Sequence, residues 1–221
     1  MMPVLFSKTY PEPPFCEKEI LRYAGCKSPD PSVTELLQAC VREVREKLTY
    51  RVCWCQLPLS VANDCCDFGV FQLQSEKLAA NLRGCDAVLL FAATVGVEMD
   101  RLIAKYGRLS PAKGLLFQAI GAERIEALCD AFCEDITGKQ NMGLRPRFSP
   151  GYGDLPLTVQ RDIFSVLDCE KRIGLFLNNS FLMSPSKSVT AFAGLTEEKG
   201  IQIKNKCSLC EKKDCAFRGA L

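Results

Sequence analysis

Apolar positions along this chain recur in two rhythms, one helical and one extended, and the changes between them mark out its elements. Leu36, Leu37, Cys40, Val41, Val44 and Leu48 return at helical spacing. Ser32-Val-Thr-Glu35 just ahead of them has the spacing of a helix capping box. Residues 50–57 and 69–73 read as strands, and 75–82 as a helix. The run Asp86-Ala-Val-Leu-Leu-Phe-Ala92 suits a strand buried on both faces. A helix is predicted from about 97 to 106. Ser110-Pro111 then opens a long helix, with proline at the first-turn position that tolerates it. Leu115, Leu116, Ala119, Ile120, Ile125, Leu128, Cys129 and Phe132 form its buried stripe. Residues 138–153 read as a Gly/Pro/Arg-rich loop and 158–169 as an amphipathic helix. Strands are predicted around 175–183 and 187–194. Residues 1–15, rich in proline, read as an irregular arm lying on the surface.

Helices and strands mix without strict alternation, and no internal repeat is visible. The pattern predicts an α+β domain with a largely antiparallel sheet, over residues 1–195, followed by a charged, cysteine-rich tail at 196–221. A chain of 221 residues with a hydrophobic fraction of 48% has enough apolar surface for one large core. Its 28 basic and 26 acidic residues nearly cancel, so neither nucleic acid nor an anionic membrane is expected as a partner. No apolar run is long enough to span a bilayer, and the first residues do not read as a secretion signal. A cytosolic protein is expected.

Two features of the composition narrow the chemistry. Fourteen cysteines in a chain of this size are expected to stay reduced, most of them as small core residues. Cys53-Trp-Cys55 on a strand places both thiols on one face. There is no histidine. That excludes Ser-His and Cys-His nucleophile pairs, histidine metal ligation and an imidazole general base. No catalytic side chain is assigned.

The segment Gly143-Leu-Arg145-Pro-Arg147-Phe-Ser149-Pro-Gly151-Tyr152-Gly-Asp-Leu-Pro156 combines glycines and prolines, which fix unusual backbone angles, with two arginines that can fork onto a carboxylate. Tyr152 adds a flat face and a hydroxyl. Such a loop suits a ligand with a carboxylate at one end and an aromatic base at the other; a purely structural loop with solvated arginines is the alternative.

This segment resembles the Arg-x-x-x-Gly-Tyr signature of the activation domain of vitamin B12-dependent methionine synthase, through Arg147, Gly151 and Tyr152, with Pro156 at the closing proline. Residues 179–190 are similar to the family's Ser-x-x-Met-x-Pro-x-x-Ser-Val segment through Ser180, Met183, Pro185, Ser188 and Val189. The resemblance implies a free-standing activation subunit that binds S-adenosylmethionine (SAM). It would restore methylcobalamin on a cobalamin-loaded methionine synthase core or another corrinoid protein, using an electron from a flavodoxin- or ferredoxin-type donor. It further implies that Arg147 pairs with the SAM carboxylate, that Ser149 and Gly151 present backbone groups, and that Tyr152 packs beside the ligand. Two extra residues separate Gly143-Leu-Arg145-Pro from the Gly-Tyr pair, so Arg145 competes for the carboxylate role. The family's Pro-Ala-Cys-Pro is replaced here by Gly153-Asp-Leu-Pro156.

Cys207-Ser-Leu-Cys210-Glu-Lys-Lys-Asp-Cys215 is a cluster of three thiols in a charged tail. Thiolates at this spacing can curl onto one ion, either an iron–sulfur cluster or zinc, with a fourth ligand from elsewhere; no metal at all is the third possibility. A metal-bearing electron-transfer or docking protein for a corrinoid partner, without SAM binding, is the competing functional reading.

Overall fold

The computed structural model describes residues 3–140 and 142–197. In chain order its elements are β1 (Phe6–Tyr10), α1 (Glu17–Tyr23), α2 (Pro31–Val44), β2 (Tyr50–Pro58), β3 (Ser60–Ala62), β4 (Cys65–Asp67), β5 (Gln72–Gln74) and α3 (Glu76–Leu82). There follow β6 (Ala87–Thr94), α4 (Glu98–Leu109), α5 (Pro111–Gln140), β7 (Gly143–Leu144), a 3-10 turn at Leu157–Val159, α6 (Gln160–Leu167) and α7 (Cys169–Ile173). The short hairpin β8 (Phe176–Leu177) and β9 (Met183–Ser184) precedes the last strand, β10 (Ser188–Thr196).

The five-stranded sheet has the order β1-β2-β6-β10-β7, and each of its pairings is antiparallel. Both its faces are covered, which is why β6 reads as an unbroken apolar run rather than an alternating one. One face sends Val52, Leu89, Phe91, Ala93 and Ala191 against α1, α2, α4 and the long α5. The opposite face sends Cys53, Cys55, Val88, Leu90 and Phe192 against α3, α6 and α7. The three-stranded sheet β3-β4-β5 contributes Cys66 to that second layer. Cys53 and Cys55 are fully buried there, as the strand alternation predicts. The α+β class with an antiparallel sheet is the fold the chain adopts.

Several boundaries differ from the pattern reading. The N-terminal arm contains an edge strand, β1, whose residues are exposed except Tyr10. The arm is then held from beneath. The Arg124 guanidinium donates to the carbonyl oxygens of Pro13 (2.5 Å) and Pro14 (2.7 Å) and lies 3.8 Å from the Phe15 ring centre. Glu123 pairs with Arg124 and accepts from the Cys16 backbone N–H at 3.1 Å. Helix α2 starts ahead of the expected capping box: Asp30 is its N-cap, accepting from Val33 N–H at 2.9 Å, and Pro31 takes the first-turn position. The predicted helix 158–169 is interrupted at Asp168, whose φ of 50° is left-handed and ends α6 before α7 begins.

Candidate functional site

The arginine-rich loop leaves the sheet edge through a local irregularity. Leu144 pairs with Leu195 and Phe148 with Phe192, so four steps along the loop answer three along β10. Arg145 N–H still donates to Gly194 O at 2.8 Å. The one extra residue acts as a bulge, and a bulge turns the side chain that follows it to the other side of the sheet. Arg145 and Arg147, two residues apart, therefore point in opposite directions.

Arg147 turns toward α5. Its guanidinium pairs with Glu126 at 2.7 Å and Asp130 at 2.6 Å, and its Nη1 lies 3.8 Å from the Cys133 thiol. The side chain is only 10% exposed. Burial opposes its charge, but the surroundings of Cys129, Glu126 and Asp130 hold its pKa above the ordinary value. A hollow of about 300 Å³ opens beside these carboxylates, lined by Pro13, Cys16 and Tyr23 among others. Much of its acidic wall is matched by neighbouring cations: Glu19 by Arg22, Glu123 by Arg124, Glu126 and Asp130 by Arg147.

Arg145 turns the other way, toward α3. Its Cγ lies 3.2 Å from the point where a Cβ on Gly194 would stand, and Cys85 and Leu82 crowd the same point. Glycine at 194 is what lets the arginine stem cross the strand. Its Nη2 reaches within 4.0 Å of the equivalent point at Gly84. Arg145 Nε is buried and has no hydrogen-bond partner, and no carboxylate of the described residues pairs with the guanidinium. A buried donor in this state is costly, on the order of 1–3 kcal/mol, and invites an acceptor.

Beyond Phe148 the chain closes a tight turn. Tyr152 N–H donates to Ser149 O at 3.1 Å, Gly151 N–H to Leu155 O at 2.8 Å, and Leu155 N–H to Tyr152 O at 3.0 Å. Gly151 and Gly153 hold left-handed φ values of 84° and 58°. The turn is tied to the start of α3 by Asp154, which accepts from the Ser75 hydroxyl at 2.5 Å and from Glu76 N–H at 2.7 Å. The Ser75 hydrogen bond, joined by these helix N–H groups, holds the Asp154 carboxyl below its usual range. Tyr152 is 69% exposed, its ring 6.3 Å from that of Phe148 in an edge-on arrangement. The Gly151 N–H and the Ser149 carbonyl, expected to face a ligand, both take part in the turn's own hydrogen bonds.

Other sequence candidates resolve structurally. A Cβ on Gly96, ahead of α4, would stand 2.3 Å from Thr49 Oγ1, so only glycine fits where the chain enters that helix with its left-handed φ of 84°. Ser188, in the 179–190 segment, donates or accepts within a buried pair with the Thr94 hydroxyl at 2.8 Å, at the start of β10. Asn81 on α3 carried no signal in the pattern, yet its Oδ1 is buried without a partner, like Arg145 Nε. Glu126 and Asp130 could have been noticed from their spacing, four apart on one helix face. Cys207, Cys210 and Cys215 lie outside the described residues. Among the described residues no group of three or more Cys, Asp or Glu is placed to hold a metal ion, and no helix is long and apolar enough to cross a membrane.

Residues 126–200 match the family described as vitamin B12 dependent methionine synthase, activation domain. The match spans the α5 carboxylates, both arginines, the Tyr152 turn and β10. Among solved structures, a crystal structure of the MetH reactivation domain bound to AdoHcy is similar, with a TM-score of 0.65 and 15% identity. The likeness covers 90% of this chain and 80% of that one, and it shows a shared fold. No curated protein matches the chain. The resemblance read from residues 143–192 is borne out by both findings.

Proposed function

Given that residues 126–200 carry the activation-domain pattern of B12-dependent methionine synthase, we propose that this chain binds SAM and presents its methyl group to the cobalt of a cobalamin-bearing partner. The observation that carries the reading is the family match over the loop, together with an unpaired, partly buried guanidinium within it. A similar fold bound to AdoHcy supports a ligand of this class.

The chemistry asks little of side chains. Cob(II)alamin accepts one electron from an external flavodoxin- or ferredoxin-type donor; the resulting cob(I)alamin takes the methyl cation equivalent from the SAM sulfonium, leaving methylcobalamin and S-adenosylhomocysteine. The cobalt is the nucleophile and no proton moves, so a chain without histidine can serve. Its task is to hold the sulfonium methyl in line with the metal, an effect worth up to about 7–11 kcal/mol in favourable cases.

Arg145 is the arginine suited to the ligand's carboxylate. Arg147 already spends its guanidinium on Glu126 and Asp130, and a third carboxylate would have to break those pairs. Tyr152 offers an exposed ring for the adenine. Ser149 and Gly151 shape the turn that carries it.

Anaerobic incubation with a cobalamin-loaded methionine synthase core lacking its own activation domain, plus SAM and a reductant, tests the reading. The methylcobalamin spectrum should appear only when this chain is added. Calorimetry that detects no SAM binding at millimolar concentration removes it.

The spacing of Cys207, Cys210 and Cys215 supports a second, separable property: thiolate ligation of an iron–sulfur cluster or zinc. Cys53, Cys55, Cys66 and Cys169 are enclosed in the core beside α3, α6 and α7 and are poor candidates for a fourth ligand. Anaerobically purified protein free of iron, sulfide and zinc would remove this property without touching SAM binding.

A further inference from the structure

Strand β1 is an edge of the five-stranded sheet, and its outer end is apolar. Val4, just ahead of the strand, is 70% exposed and Phe6 48%. With Gln56, Leu57, Pro58 and Ala87 they line a groove of about 440 Å³, on the face where the Phe6 ring stacks on Trp54. An uncovered apolar edge strand is a template for unwanted pairing, and folded proteins commonly cover it.

The last strand delivers the rest of the chain to this same end of the sheet. Pro58 of β2 pairs with Ala87 of β6, and Ala87 with Leu195 of β10, so the three lie abreast. Two strand spacings, about 10 Å, separate Leu195 from Pro58. The described chain ends at residue 197, one step beyond β10, and residues 198–221 follow it. Five extended residues reach about 17 Å, and the fifth after Thr196 is Ile201. Ile201-Gln-Ile203 sets two β-branched residues about a polar one, which in an extended chain puts both isoleucines on one side. Lys199, Lys204 and Lys206 flank them. Asp86, exposed beside Ala87 at the end of the groove, is paired with no cation of the described residues.

We propose that Ile201 and Ile203 of this chain seat in the groove between Val4, Phe6 and Pro58, with a flanking lysine answering Asp86. Span, direction, alternation and charge all meet at that place. Docking there covers the apolar end of β1. It also brings Cys207, four residues past Ile203, to the β1 edge, which is the edge opposite β7 and the Arg145 loop. The cysteine cluster is thereby tied to the body of the fold, away from the loop assigned to SAM. The inference does not depend on the SAM reading.

Two phenylalanines make its test self-calibrating. Phe6 is 48% exposed and Phe176, in the β8–β9 hairpin, 49%. Hydroxyl-radical labelling of the full chain, read by mass spectrometry, marks them alike if the groove is bare. The expected result is that Phe6 is marked several-fold less than Phe176, at every protein concentration. Ile201→Asp/Ile203→Asp should raise Phe6 to the level of Phe176 with the melting temperature showing a folded chain. Equal marking in the unsubstituted chain overturns the proposal, whatever the variant does. Protection of Phe6 that persists in the folded variant overturns it too, and gives the groove to the residues ahead of Pro3. Protection that grows with protein concentration overturns it in favour of a second copy.

Discussion

Two arginines separated by one residue have been given opposite fates. On the α5 side, Arg147 is matched by two carboxylates, as Arg124 is matched by Glu123 deeper in the same layer. On the α3 side, Arg145 is bare at Nε and its guanidinium lies toward Gly84 at the end of that helix. A guanidinium compensated within the fold holds the structure together. One left uncompensated carries a standing cost that a ligand can relieve. The contrast separates scaffold from site more sharply than residue type does.

The largest effect should come from the deepest compensated pair. Glu123 and Arg124 are 5% and 0% exposed, so removing one partner strands a buried charge. Glu123→Gln is expected to lose about 3 kcal/mol of stability, from the range for broken buried pairs. For a chain of this length that lowers the melting midpoint by about 6–12 °C. The N-terminal arm should loosen first, because Gln offers one acceptor oxygen where Arg124 and the Cys16 N–H use two, and the Pro13 and Pro14 carbonyls depend on the same arginine. Thermal unfolding and amide exchange across residues 10–20 check both parts.

Next comes the uncompensated arginine. Arg145→Ala should weaken SAM binding about 100-fold, since a charge-assisted pair to a carboxylate is lost. Stability should change by less than about 1 kcal/mol, because no buried partner is stranded. Arg147→Ala should do the reverse: SAM affinity within about threefold of the unsubstituted chain, and a stability loss on the order of 1–2 kcal/mol. That loss is held down by solvent, because Asp130 is 64% exposed and Glu126 36%. Calorimetry and melting curves on the two variants give a crossed pattern. An uncrossed pattern, with Arg147→Ala losing the ligand, would return the carboxylate role to the arginine that the family signature first suggests.

That distinction could not be read from the chain. Along an unbroken strand, residues 145 and 147 would share a face. They diverge because of the extra residue between the Leu144 and Phe148 pairings, and a bulge of that kind has no mark in the sequence beyond an ordinary Arg-Pro-Arg. Strong periodicity was legible where burial is complete, as in β6, whereas in α5 the predicted buried stripe fails at its first member, Leu115, which is 55% exposed. Strand β1 escaped because four of its five residues face solvent and no apolar alternation marks them. The break at Asp168 escaped because a left-handed φ at a residue other than glycine has only a weak compositional signal.

The smallest expected effect concerns the tie that positions Tyr152. Asp154 anchors the turn to the start of α3 through Ser75 and Glu76 N–H, and these hydrogen bonds depress its pKa. A carboxyl whose folded pKa is lowered adds stability at pH above its unfolded value, near 4. That contribution disappears as the pH falls through the lower folded value. Between pH 5 and 7 the tie is therefore fully made, and with no histidine in the chain no imidazole changes charge there. Protection of the Glu76 and Lys77 amides, relative to their intrinsic exchange, should stay high across that range and fall below about pH 4. Asp154→Ala should show the low protection at every pH, while Arg147→Ala leaves the same amides protected. Equal protection in Asp154→Ala and the unsubstituted chain would mean that Ser75 alone caps the helix, and that the exposed ring of Tyr152 is held by Phe148 and the turn's own hydrogen bonds.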